Sequence, residues 1–112
     1  MPKQKPDLPQ GTLDMLVLKA LSLGETHGYG VGQRIQALAN DMLRVEEGTL
    51  YPALYRIEQC GWIESEWGTS DNNRRARFYR LTRAGKKQLG VEETRWSHLT
   101  DAIAKVMRAT TA

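Results

Sequence analysis

Arg74, Arg75 and Arg77 occupy three of four consecutive positions in DNNRRARFYR, residues 71–80. A planar guanidinium forks onto phosphate oxygens or enters a narrow minor groove, which an ammonium does less well. The surrounding charge points the same way. Residues 71–87 hold seven basic side chains and one acidic, whereas residues 11–70 hold four basic and eight acidic. The formal net charge of +3 therefore conceals a concentrated positive stripe. Such a stripe implies an anionic partner more strongly than the overall balance does.

A second set of candidates lies in EEGTLYPALYRIEQCGWIE, residues 46–64. Leu50, Leu54, Ile57 and Gly61 recur at the rhythm of a helix face packed on a core. At about 100° per residue, Pro52, Tyr55, Arg56 and Gln59 share the far side, with Tyr51 at its edge. That side has little of the usual Lys/Glu chemistry of a solvated surface. Threonine and tyrosine hydroxyls bond phosphates or base edges, proline packs on base or sugar, and arginine reaches phosphate or guanine. Thr49, Tyr51, Pro52, Tyr55 and Arg56 are thus candidate nucleic-acid contacts. The plainer alternative packs Tyr55 under a neighbouring element, sets Tyr51 at the core edge and leaves the arginines as a solvated hairpin tip.

Other chemistries find no footing. The sequence has no acid–base pair or nucleophile–base constellation, so an enzyme is not expected. Two distant histidines, His27 and His98, and the single Cys60 offer no zinc spacing, and neither metal nor cofactor is expected. GYGVG does not follow a strand, as a phosphate-cradling loop would. Cys60 reads as a small buried residue, and a lone cysteine fits a reducing cytoplasm. No apolar run approaches the roughly 18–20 residues of a membrane span. The opening MPKQKPDLPQG lacks the apolar stretch of a signal peptide.

The 112 residues suit one domain. Residues 1–9, rich in proline, read as a flexible arm. Leu13, Leu16, Val17, Ala20 and Leu21 mark a first amphipathic helix closed by Gly24. HGYGVGQRI opens a second, with Val31, Ile35 and Leu38 inward and its glycines making a turn and a close helix contact. Thr49 is placed as N-cap of the third helix, which makes Pro52 harmless at its third position; Gly61 ends it. WIESEW and ARFYRLT alternate as strands around the turn-rich GTSDNNRR. Thr82 then caps a helix whose Leu89, Trp96, Leu99, Ile103 and Val106 form a heptad-like seam interrupted by Glu92. The expected fold is mainly α with a small β part: a winged helix-turn-helix over residues 10–82, with a two-stranded wing and a C-terminal dimerisation helix over residues 83–112. In that fold the third helix enters the major groove. The projecting seam, with Leu13 and Leu16 of the first helix, is expected to meet a second copy.

GTLYPALYRIEQCGWIESEW followed by RRARFYRLTRAGKKQL closely resembles the PadR-like winged-helix transcriptional regulators, with HGYGVGQRI and the leucine-rich first helix also matching. The single terminal helix looks like the short-tailed branch. The resemblance implies a homodimer on double-stranded DNA, usually a repressor, at a pseudo-palindromic operator. Some members respond to small aromatic ligands, which makes Trp96 a candidate effector contact. Glu46–Glu47 depart from the Ser-Pro often found before Gly-Thr-Leu-Tyr. Carboxylates there favour a helix N-terminus but repel phosphate. The competing expectation is a winged-helix module that binds protein and has lost DNA affinity, for which Glu46, Glu47, Glu64 and Glu66 speak.

Overall fold

The computed structural model describes residues 10–111, so the expected arm lies outside the described residues. Its elements are α1 (Gln10–Ser22), β1 (Thr26–His27), α2 (Gly28–Leu38), α3 (Glu47–Gln59), β2 (Ile63–Thr69), β3 (Arg75–Leu81) and α4 (Arg83–Met107). The three N-terminal helices enclose one core. Leu13, Val17, Leu18 and Leu21 of α1 meet Val31 and Ile35 of α2 and Leu50, Ala53, Leu54 and Ile57 of α3. Ile63 and Tyr79 add the inner face of the sheet, and Leu89 the start of α4. Leu38, expected inward, is exposed at the end of α2.

β2 and β3 form an antiparallel hairpin with Trp67 opposite Arg77 and Ser65 opposite Tyr79. Its turn is tied by Ser70, whose N–H and hydroxyl both donate to the Arg74 carbonyl. The sheet has a third strand: β1 pairs with β3, giving the order β1-β3-β2. Two residues are too few to show an alternating pattern, and so the sequence suggested a two-stranded ribbon alone.

α3 starts earlier than expected. Its N-cap is Glu46, which makes no side-chain cap, and Thr49 lies within the first turn. Leu50 N–H already donates to the Glu46 carbonyl at 2.8 Å. Pro52 is therefore inside the helix, where its missing N–H leaves the Gly48 carbonyl without its usual helical partner. The carboxylate of Glu47 in the first turn suits the positive end of the helix. At the other end Gly61 is left-handed at φ 78°. Trp62 N–H donates to the Ile57 carbonyl and Gly61 N–H to that of Glu58, a Schellman closure. Cys60, at the C-cap, is exposed and not buried as expected, because the closing turn carries it off the core face.

Thr82 caps α4 as expected, its hydroxyl accepting from Gly85 N–H at 3.0 Å and donating to the Gly61 carbonyl. α4 has 25 residues, about 37 Å at a rise of about 1.5 Å per residue. Its first half lies on α1; its second half runs beyond the core. The radius of gyration is 16.2 Å, against about 13 Å for a compact domain of about 100 residues.

Candidate nucleic-acid interface

Tyr51, Pro52 and Tyr55 are exposed on the outer face of α3, and Thr49 lies exposed in the first turn. Tyr55 is 67% exposed, so it does not pack beneath a neighbour. Tyr51 leans on α2: a Cβ on Gly28 would stand 2.7 Å from its ring, and glycine there lets the two helices close. Burial, and then the Glu47 carboxylate, raise the Tyr51 hydroxyl above its ordinary pKa. Tyr79 is raised likewise, by burial first and then by Glu58. Both hydroxyls are thus protonated donors at neutral pH.

The hairpin presents two unlike faces. One carries Ser65, Trp67 and Thr69 opposite Tyr79, Arg77 and Arg75. Arg75 and Arg77 lie over the Trp67 ring at 4.7 and 5.4 Å from its centroid, within cation–π range. This face joins α3 around two open recesses. Tyr51, Tyr55, Glu58, Gln59, Arg77 and Tyr79 line one of about 340 Å³. Tyr51, Trp67, Arg75, Arg77 and Tyr79, with the start of α2 at His27–Tyr29, line another of about 390 Å³. Arg74 is exposed at the hairpin tip. The fold therefore brings the tyrosines of α3 and the arginines of the wing onto one concave surface.

The opposite face holds Glu64 and Glu66. Arg80 donates to Glu64 at 2.7 Å and to Glu66 at 3.0 Å, with Glu25 at 3.8 Å. Glu64 and Glu66 thus point away from the concavity and are occupied there. Glu46 is paired with Arg44 at 3.3 Å. Arg56 does not join the tyrosines. Its guanidinium binds the Asp14 carboxylate of α1 through Nε and a terminal nitrogen, so it braces α3 on α1. The structure thus sets Arg56 apart from the tyrosine face on which the sequence grouped it: position 56 borders the buried Ile57, and Asp14 on the adjoining helix captures it.

The apolar seam is narrower than expected. Leu13 and Leu89 are 2% and 7% exposed within the protomer's own core and are not open to a second copy. Leu16 is half-buried, while Trp96, Leu99, Ile103 and Val106 are exposed along α4. Trp96 stands between two recesses of the α1–α4 groove. Met15, Glu92, Trp96 and Leu99 line one of about 230 Å³. Met15, Leu16, Leu89 and Trp96 line the other, of about 410 Å³. His27 is the α2 N-cap, its Nδ1 accepting from Gly30 N–H at 3.1 Å. Trp67 is the residue that sequence reasoning passed over. The alternation placed it beside Ser65, but its pairing with Arg77 depends on the length of the turn.

Among the described residues no group of His, Cys, Asp or Glu side chains could hold a metal ion, and no helix is long and apolar enough to cross a membrane. Comparison with known proteins agrees with the geometry. The chain is 33% identical to a PadR family transcriptional regulator from Eggerthella lenta, with a TM-score of 0.75, covering 90% of this chain and 86% of that one. A transcriptional regulator from Clostridium thermocellum superposes with a TM-score of 0.78 at 29% identity, covering 86% and 93%. Transcriptional regulator Rv3488 of Mycobacterium tuberculosis is 42% identical over 65 residues, 58% of this chain and 57% of that protein. The profile of the transcriptional regulator PadR-like family matches residues 17–91, and the chain belongs to that family, whose members are transcriptional regulators and not enzymes.

Proposed function

We propose that the protein is a cytoplasmic, homodimeric repressor that binds a pseudo-palindromic operator in duplex DNA. One observation carries this reading: the exposed Tyr51–Pro52–Tyr55 face of α3 opens onto the same concavity as Arg75 and Arg77. A helix face set beside a basic ribbon suits a major groove flanked by phosphate backbone. Thr49, Tyr51, Pro52 and Tyr55 are the groove-facing set; Arg74, Arg75 and Arg77 are the backbone or minor-groove set. The protein-binding alternative loses its support from Glu64 and Glu66, which Arg80 holds on the far side of the sheet.

DNA recovered from genomic fragments by the purified protein supplies the operator, and two neighbouring residues then test the surface. Tyr55→Ala is expected to weaken operator binding by about 1–3 kcal/mol, the value of one base contact, with an unchanged melting temperature. Arg56→Ala should do the reverse. Breaking its partly exposed pair with Asp14 costs about 1 kcal/mol of stability, or about 4 °C, with little change in affinity. A Tyr55→Ala variant that melts early and binds normally contradicts the assignment.

The same reading gives the α4 seam to the dimer contact, with Leu16, Trp96, Leu99, Ile103 and Val106 meeting their twins. It also gives the recesses beside Trp96 to a flat aromatic effector, since aromatic faces favour offset stacking. Such an effector must prefer one separation of the two wings, or it cannot alter DNA affinity. In a Trp62→Phe/Trp67→Phe background, planar dyes and phenolic compounds should quench Trp96 fluorescence, and the quenching compounds should release operator DNA. If a broad panel gives no quenching, Trp96 is packing alone.

A further inference from the structure

Arg77 is held from two sides. Its Nε donates to Ser65 Oγ at 2.7 Å, across the hairpin. The single proton of that hydroxyl is donated onward to Glu58 Oε2 of α3, also at 2.7 Å. Trp67, directly opposite in register, lies against the guanidinium from the side. Among the described residues no hydrogen bond uses the two terminal nitrogens of Arg77, and the residue borders both recesses of the concave surface. The chain Glu58–Ser65–Arg77 thus ties the wing to α3, while Arg77 as a residue stays exposed.

We infer that Glu58, Ser65 and Trp67 are positioning residues that hold Arg77 in the orientation in which it meets duplex DNA; this rests on the DNA-binding reading above. Glu58 makes the inference specific. It places a carboxylate on the lining of the surface that would receive phosphate. As bulk charge it opposes DNA, so its deletion would tighten binding. As the acceptor that orders Ser65 and Arg77, it lowers the cost of immobilising a long side chain on binding, and its deletion weakens binding. The two accounts differ in sign.

The test is equilibrium binding of the full-length protein to a labelled duplex of random sequence across a salt titration. Glu58→Ala, Ser65→Ala and Trp67→Leu are each expected to weaken binding roughly 2- to 12-fold, the range set by ordering one rotamer-rich side chain. The slope of log K on log salt should not change, because the guanidinium still reaches its phosphate. Arg77→Ala should reduce that slope by about 0.9. In an Arg77→Ala background none of the three should weaken binding further. Glu58→Gln and Ser65→Thr keep the acceptor and the hydroxyl and should restore affinity. Tighter binding by Glu58→Ala overturns the inference, as does an equal loss with and without Arg77. If Arg77→Ala itself binds with wild-type affinity and slope, the contact of Arg77 with DNA falls instead, and this inference with it.

Discussion

Leu99→Asp and Ile103→Asp are each expected to turn a dimer into a monomer and to lower operator affinity by about 10²–10⁴-fold. The size follows from the two half-sites. In a dimer the second contact is made within the complex at a high effective concentration, and a monomer loses that advantage. These positions suit the experiment because they are 51% and 50% exposed in the protomer. A charge there finds water in the isolated chain, and only a covering partner makes it costly. The variants should therefore keep their helical circular dichroism while sedimentation shows half the mass. Leu89→Asp, at a position buried in the chain's own core, should instead unfold the protein and is the contrasting control. Wild-type protein that sediments as a monomer at micromolar concentrations contradicts the dimer and the palindromic operator together.

Much of this organisation was legible because each helix shows its period. Leu50, Leu54 and Ile57 marked the inner face of α3, and all three are buried. Gly61 and Thr82 announced helix ends through chemistry that acts within a few residues, and both serve as expected. The start of α3 was misplaced for a related reason. Proline is harmless in the first turn of a helix, which favoured an N-cap at Thr49 over the one at Glu46. Arg56 shows the deeper limit. Its angular position on α3 could be computed, but its partner Asp14 is 42 residues away and enters only through the packing of α1. Trp67 and the Ser65 relay depend likewise on the hairpin register and on the closeness of α3, neither of which leaves a local signature. The seam divided in the same way: the heptad pattern covered Leu89 and Leu99 alike, and the tertiary fold buried only the first.

Replacing Arg74, Arg75 and Arg77 together with alanine is expected to produce the largest change in salt dependence. Each phosphate contact removed lowers the slope of log K against log salt by about 0.9, so three contacts account for about 2.7. Over a fourfold rise in salt, the fall in affinity should then be about 40-fold smaller than for wild type. The hairpin should survive the change, since its ladder and its Ser70-tied turn use backbone groups and a serine hydroxyl. Arg80 supplies the control within the same strand. It faces the other side of the sheet, bound to Glu64 and Glu66, and is removed from the concave surface. Arg80→Ala changes net charge as any single arginine substitution does, yet should leave the slope near its wild-type value. A reduction equal to that of one concave-face arginine would mean that DNA responds only to total charge. An unchanged slope in the triple variant, with circular dichroism intact, would remove the wing from the interface.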